Sequence, residues 1–100
     1  MKGELHTAKS FCKDYKKLSK TETDETDLVI KKLLNGETLA PKYRDHVLHG
    51  NYEGYRECHV FSDLLLIYKR MITGELLVVT VYRINSHTNI FDKNTSHKKK

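Results

Sequence analysis

Cysteines and long apolar runs are scarce in this chain of 100 residues, and their scarcity excludes several classes of protein. The two cysteines, Cys12 and Cys58, fit reduced thiols in a cytosolic protein better than a disulfide scaffold. No CxxC or HxxxH spacing occurs, and Cys58 and His59 point to opposite faces of a strand, so we expect neither a metal nor a cofactor. The N-terminus lacks the apolar stretch of a signal peptide, and no run reaches membrane-spanning length. We therefore expect a cytoplasmic protein without a membrane partner.

The composition shows an excess of basic residues. Hydrophobic residues make up 38% of the chain and charged residues 31%, which is typical of a single globular domain. The 18 basic residues outnumber the 13 acidic ones, and the net charge is +5. Such an excess favours an acidic partner, either nucleic acid or an acidic protein, and does not choose between them.

The first third of the chain has helical periodicity. Residues 3–7 would form a short first strand. Apolar side chains then recur at helical spacing from Ala8, which Thr7 would cap, and again from about Asp24, where Leu28 would face inward. An Asn-Gly pair ends the second segment. These segments predict two helices that form an antiparallel hairpin.

The rest of the chain is rich in strand-forming residues. Thr73-Gly74 predicts a tight turn between the last two strands, and Asn85 is a candidate for the left-handed conformation. We expect an α+β domain over residues 1–91, with the helix hairpin packed on a mostly antiparallel sheet, and a disordered basic tail over 92–100. The predicted strands of this half cover residues 54–60, 63–70 and 75–84.

Four titratable side chains lie within the strand-rich half, namely His46, His59, Asp63 and His87. Imidazoles exchange protons near neutral pH, arginines bind phosphate, and a carboxylate can orient or supplement a base. Taken singly, each histidine is more often a structural residue. Together with the neighbouring arginines, they indicate chemistry on a phosphodiester.

The blocks that contain these residues resemble the YafQ branch of the RelE/ParE toxin superfamily. The first block is His46-Val-Leu-His-Gly-Asn-Tyr-Glu-Gly-Tyr-Arg-Glu-Cys-His59. The second is Asp63-Leu-Leu-Leu-Ile-Tyr68, and the third runs from Arg83-Ile-Asn-Ser-His87 to Phe91. The resemblance covers roughly residues 5–91 and is specific from Leu39 onward.

The resemblance implies a RelE-like sheet and a toxin of a bacterial type II toxin–antitoxin system. Its activity would be ribosome-dependent cleavage of mRNA, inhibited by a cognate antitoxin. The partners would then be that antitoxin, the ribosome and mRNA. Carried over by position, the catalytic residues are His46, His59, Asp63 and His87, and the substrate-binding residues are Arg56, Arg83 and Phe91.

Metal-free cleavage of RNA needs a base for the ribose 2′-hydroxyl, an acid for the leaving 5′-oxygen and cations for the phosphate. We assign the acid role to His87 and the base role to His46 or His59. Asp63 would orient a histidine or act as the base itself. The two arginines would hold the phosphate, and the ring of Phe91 would stack on a base.

Some positions depart from the family pattern and keep other interpretations open. Leu64 stands where the family has a tryptophan. The loss of that aromatic ring would remove packing or base stacking. The rivals are a gyrase inhibitor of the ParE type and a catalytically silent module that binds RNA or an antitoxin. Asp63 would then cap a turn, and Arg56 would pair with Glu57 or Asp45. The other departures are Val47, Tyr52, Ser62 and Asn85.

Overall fold

Two helices pack on one face of a five-stranded sheet. The computed structural model describes residues 3–92, with side chains as far as residue 90, so most of the predicted basic tail lies outside the described residues. In this part of the chain, no helix is both long and apolar enough to span a membrane. In chain order the elements are β1 (Glu4–Thr7), α1 (Lys9–Tyr15), α2 (Lys20–Leu34), a 3-10 turn (Pro41–Tyr43), β2 (His46–Val47), a second 3-10 turn (Gly50–Tyr52), β3 (Arg56–Phe61), β4 (Leu64–Thr73), β5 (Leu76–Asn85) and a final helical turn (Thr88–Asp92).

The strands lie in the order β1-β5-β4-β3-β2. β1 runs parallel to β5, and every other neighbouring pair is antiparallel. Gly74 has a φ of 62° in the two-residue connection between Thr73 and Leu76, so the predicted tight turn is confirmed. The α+β class with a mostly antiparallel sheet is confirmed as well.

The main core lies between the helices and the sheet. Phe11 of α1 and Leu33 of α2 pack there against alternate residues of the strands, such as Leu66 and Val81. Alternation places every second strand side chain on this face, and each fully buried aliphatic side chain contributes about 1.5–3 kcal/mol. The opposite face of the sheet carries a smaller apolar cluster around Leu65, Ile67 and Ile90, and the candidate site lies on that face.

The second helix begins earlier than the sequence analysis predicted. It starts at Lys20 rather than near Asp24, because Ser19 and Glu22 form a capping box. The Glu22 backbone N–H donates to Ser19 Oγ at 3.2 Å, and the Ser19 backbone N–H donates to Glu22 Oε1 at 2.9 Å. The polar segment that was interpreted as a break is thus the first turn of the helix.

Three smaller predictions were wrong. The residue that caps α1 is Ala8, and Thr7 instead belongs to β1, where it pairs with Val81. Leu28 is 44% exposed rather than turned inward, because the buried face of α2 consists of other residues. Asn85 ends β5 without a positive φ, and among the described non-glycine residues only Arg44 has one.

Candidate active site

The sheet face opposite the helices places several predicted residues in register. His46 of β2 lies opposite Glu57 of β3, Glu57 lies opposite Ile67 of β4, and Ile67 lies opposite Arg83 of β5. Residues in register point to the same face of a sheet, and neighbouring strands are about 4.8 Å apart. His59 lies two residues after Glu57 and faces the same way. His46, His59 and Arg83 therefore share one surface.

A buried carboxylate joins two of the predicted histidines. Oε1 of Glu57 lies 3.0 Å from Nε2 of His46 and 3.8 Å from Nε2 of His59. The Glu57 side chain is only 7% exposed, whereas that of His46 is 50% exposed. Because a carboxylate stabilises a positively charged imidazole beside it, this pair of contacts is suited to proton transfer.

Backbone carbonyls orient both rings. Nδ1 of His46 lies 2.8 Å from the Arg44 carbonyl oxygen, and Nδ1 of His59 lies 3.3 Å from the Ser62 carbonyl oxygen. A carbonyl oxygen only accepts hydrogen bonds, so each Nδ1 carries the proton in these contacts. His59 is thereby left with Nε2 as the nitrogen that can accept a proton.

The other two predicted residues meet at the ends of the strands. Asp63 lies in the turn between β3 and β4, and its Oδ1 accepts a hydrogen bond from the His87 backbone N–H at 3.4 Å. His59 contacts the carbonyl of Ser62, the residue before Asp63. Asp63 therefore lies beside the backbone of His87 and follows the residue that His59 contacts, and these contacts do not include the imidazole of His87.

Arg83 is held by a residue of α1. Its Nε and Nη2 donate to the carboxylate of Asp14 at 2.7 and 3.2 Å. The same carboxylate accepts from the Ile84 backbone N–H and from Nδ2 of Asn85, both at 3.1 Å. Hydrogen bonding to Asp14 raises the pKa of Arg83 above its already high ordinary value.

Arg56 lies on the other face of β3 from Glu57. It is in register with Tyr68, a residue of the core beneath the helices. Its Nε and Nη2 donate to Asp45 at 3.3 and 2.9 Å, and Asp45 also accepts from the Tyr68 hydroxyl at 2.5 Å. The Asp45 hydrogen bond raises the pKa of Arg56. This is the ion pair with Asp45 that the sequence analysis kept as an alternative, and the predicted phosphate contact of Arg56 stays a prediction.

Tyrosines cover the middle of the site face. Tyr82 lies with its ring centroid 5.4 Å from that of Tyr55 and 6.1 Å from that of Tyr52, and these rings pack on Ile67. Leu64, by contrast, is buried in the core on the helix side. The missing tryptophan at that position is therefore a change in packing. The side chain of Phe91 lies outside the described part of the chain.

A cleft of about 600 Å³ opens next to Asp63, within the range of small-ligand pockets. It lies between the start of α2 and the C-terminal end of β5, and Lys17, Ser62 and Ser86 contribute to its lining. Across residues 3–92, no group of three or more His, Cys, Asp or Glu side chains is arranged to hold a metal ion.

The sequence analysis missed Glu57 and Asp14 as functional candidates. Glu57 gave a signal, because a charged residue two positions before His59 in a strand must share its face. Asp14 gave a weaker one, as an acidic residue that interrupts a row of lysines on α1. Its partners are 69 or more positions away, which no local pattern reveals.

Comparison with known proteins identifies related chains over nearly the whole length. The family described as the bacterial toxin of type II toxin–antitoxin system, YafQ, matches residues 3–92. The mRNA interferase toxin YafQ of Escherichia coli is 33% identical over 91 residues, which cover 88% of this chain and 95% of that protein.

Solved structures of YafQ proteins have the same fold as this chain. The crystal structure of YafQ from Escherichia coli superposes with a TM-score of 0.76 at 27% identity, and the match covers 89% of this chain and 98% of that one. A chain of the Escherichia coli DinJ–YafQ toxin–antitoxin complex gives a TM-score of 0.74 at 30% identity, with 91% and 99% covered.

Proposed function

Because this chain belongs to the YafQ family of toxins of bacterial type II toxin–antitoxin systems, we propose that it is an mRNA interferase, an endoribonuclease that cuts ribosome-bound mRNA. The relative in Escherichia coli has that activity in its name. The observation that carries the proposal is the buried carboxylate of Glu57 between His46 and His59 on the open sheet face.

We assign the base role to His59. Its Nδ1 faces the Ser62 carbonyl, so Nε2 is available to take the proton of the ribose 2′-hydroxyl. Glu57, 3.8 Å away, stabilises the imidazolium that results. The sequence had left this role open among His59, His46 and Asp63.

His46 supplies positive charge in this proposal. Its ring nitrogens lie beside the Arg44 carbonyl and the Glu57 carboxylate, and a ring protonated on both nitrogens donates to both of these acceptors. At half exposure this ring is accessible to an RNA phosphate. Arg83 adds a second cation in the same row of the sheet, and the two stabilise the charge that develops on the phosphate.

His87 completes the reaction as the acid. The 2′-oxygen attacks phosphorus, the bond from phosphorus to the 5′-oxygen breaks, and His87 protonates the leaving oxygen. The products are a 2′,3′-cyclic phosphate and a 5′-hydroxyl. Asp63 orients this end of the site through the His87 backbone N–H, and Phe91 would stack on a base of the substrate.

Ribosomal RNA and an antitoxin are the proposed macromolecular partners. The lysines of the first helical region are exposed and suit phosphate contacts, which would place the protein on cytoplasmic ribosomes. The Escherichia coli relative forms a complex with DinJ, and an antitoxin with an acidic segment would similarly neutralise and cover this basic chain. The lysines concerned are Lys9, Lys13, Lys16, Lys17 and Lys20.

The test is primer extension on a reporter mRNA translated with purified ribosomes. We expect cuts that require both ribosomes and wild-type protein, and that disappear with His87→Ala. His6→Ala is the matched control, because His6 is an exposed histidine on β1, at the opposite edge of the sheet from β2. This control should cut like the wild type.

The alternatives give different results. An intact message with folded wild-type protein would refute nuclease activity and leave gyrase inhibition or silent binding, which a supercoiling assay with purified gyrase separates. Cuts that persist in His87→Ala would remove that residue from the mechanism.

A further inference from the structure

Asp14 is a buried carboxylate that the proposed reaction does not use. Its side chain is 9% exposed, and it accepts four hydrogen bonds from three consecutive residues of β5. Burial of a charge is costly unless it is fully paired, so such a concentration of donors holds this segment of β5 in one arrangement. β1 pairs with β5 only as far as Val81. Beyond that point, Asp14 accepts the hydrogen bonds of the next residues of β5.

The first branch of this network sets the orientation of Arg83. Asp14 binds the guanidinium along its Nε–Nη2 side. Among the side chains of residues 3–90, none bonds Nη1, so the end of the guanidinium keeps donors for a phosphate. Asp14 thus removes the rotational freedom of a long side chain without occupying all of its donors.

The second branch sets the turn that carries His87. Asn85 donates Nδ2 to Asp14, while its Oδ1 accepts from the Ser86 backbone N–H and from Nδ2 of Asn89, both at 2.8 Å. The Asn89 backbone N–H in turn donates to Ser86 Oγ at 3.2 Å. His87 lies between these residues. Asn85 is one of the departures from the family pattern, and its side chain makes this link.

We propose that Asp14 is a positioning residue for RNA cleavage, which fixes Arg83 directly and the His87 turn through Asn85. This inference rests on the proposed nuclease function. A small displacement of a catalytic group lowers the rate strongly, by up to about 100-fold for roughly 1 Å. Asp14 therefore acts on the rate of the bound complex more than on the affinity for ribosomes.

The experiment measures single-turnover cleavage of ribosome-bound mRNA over a range of protein concentrations. Asp14→Asn should lower the saturating rate by about 10- to 100-fold and change the half-saturating concentration by less than about threefold. Asp27→Asn is the control, since Asp27 is an exposed carboxylate of α2 that bonds only a tyrosine, Tyr15, among the described residues. It should cleave like the wild type.

A double mutant separates the positioning role from a purely structural one. If Asp14 acts through Arg83, Asp14→Asn should lower the cleavage rate much less in an Arg83→Ala background than in the wild type, because the first branch is already gone. The Arg83 Nε–H signal in a nitrogen-15 NMR spectrum should also shift in Asp14→Asn and stay in place in Asp27→Asn. Asn85→Ala, which keeps the Arg83 contact, should lower the rate and leave that signal unchanged.

Failure of each proposal has its own signature. An active wild type with an equally active, folded Asp14→Asn overturns the positioning role alone. A loss of rate that is the same with and without Arg83, and that follows the fraction of unfolded protein, overturns it too. A wild type that leaves the message intact overturns the nuclease function and the positioning role together.

Discussion

Replacing Glu57 with glutamine removes the charge that His46 and His59 share and keeps the size of the side chain. Between Glu57 Oε1 and His59 Nε2, at 3.8 Å, two unit charges attract by about 4 kcal/mol at an effective dielectric constant of about 20. Both side chains are largely shielded from solvent, at 7% and 17% exposure, and we take about half of this value for the transition state. A loss of about 2 kcal/mol lowers the rate roughly 30-fold.

Stability should respond differently. A buried carboxylate is costly to desolvate, and the partners of Glu57 are histidines, which unlike an arginine need not stay charged without it. The free energy of unfolding of Glu57→Gln should therefore change by less than about 1 kcal/mol. Single-turnover cleavage and urea denaturation of the same preparation measure both quantities. Glu53→Gln, at an exposed position before β3, is the control and should change neither. If folded Glu57→Gln cut mRNA at the wild-type rate, the carboxylate would have no part in proton transfer.

Three further predictions concern groups outside the proposed reaction. Burial raises the pKa of the Cys58 thiol from 9.0 to about 12, so at pH 8 a thiol reagent should modify exposed Cys12 rapidly and Cys58 only on unfolding; equal rates would contradict this. Since the folded state holds the Cys58 proton more tightly, its contribution to stability is complete below pH 9 and is lost as the pH rises towards 12, which urea midpoints at pH 8 and 11 would measure. Asp45→Asn should lower the free energy of unfolding by about 2–3 kcal/mol, because a charged acceptor is lost from Arg56 and from the buried Tyr68 hydroxyl; an unchanged urea midpoint would refute this role.

Local patterns predicted four of the five strands and missed β2 and the beginning of α2. The hairpin of β4 and β5 follows from two apolar runs around Thr73-Gly74, since turn and strand preferences there agree. Ser19 and Glu22 carried an equally local signal, the capping box, but the polar residues between them resembled a loop. The parallel pairing of β1 with β5 depends on how the helices return the chain to the sheet, which periodicity does not encode.

The candidate site was predicted as a set of residues rather than as an arrangement. His46 and His59 were identified by position, yet their shared contact with Glu57 depends on the register of β2 with β3. A shift of one residue in that register would send Glu57 to the other face. The sequence analysis kept an ion pair as an alternative role for Arg56, and the faces on which Arg56 and Arg83 lie depend on strand register, including an irregularity in the pairing of β4 with β5 just before Arg83.

The contact between Asp14 and Arg83 joins residues 69 positions apart, which has a consequence for the synthesis of the protein. A ribosome extrudes the chain from its N-terminus, and contacts between distant segments wait for the later one to emerge. The helices and β1 can be outside the exit tunnel while β5 is still inside it. Until β5 follows, neither Arg83 nor the His87 turn has its support. The ribosome that makes this toxin is therefore not exposed to an assembled site until the last strand is complete and outside.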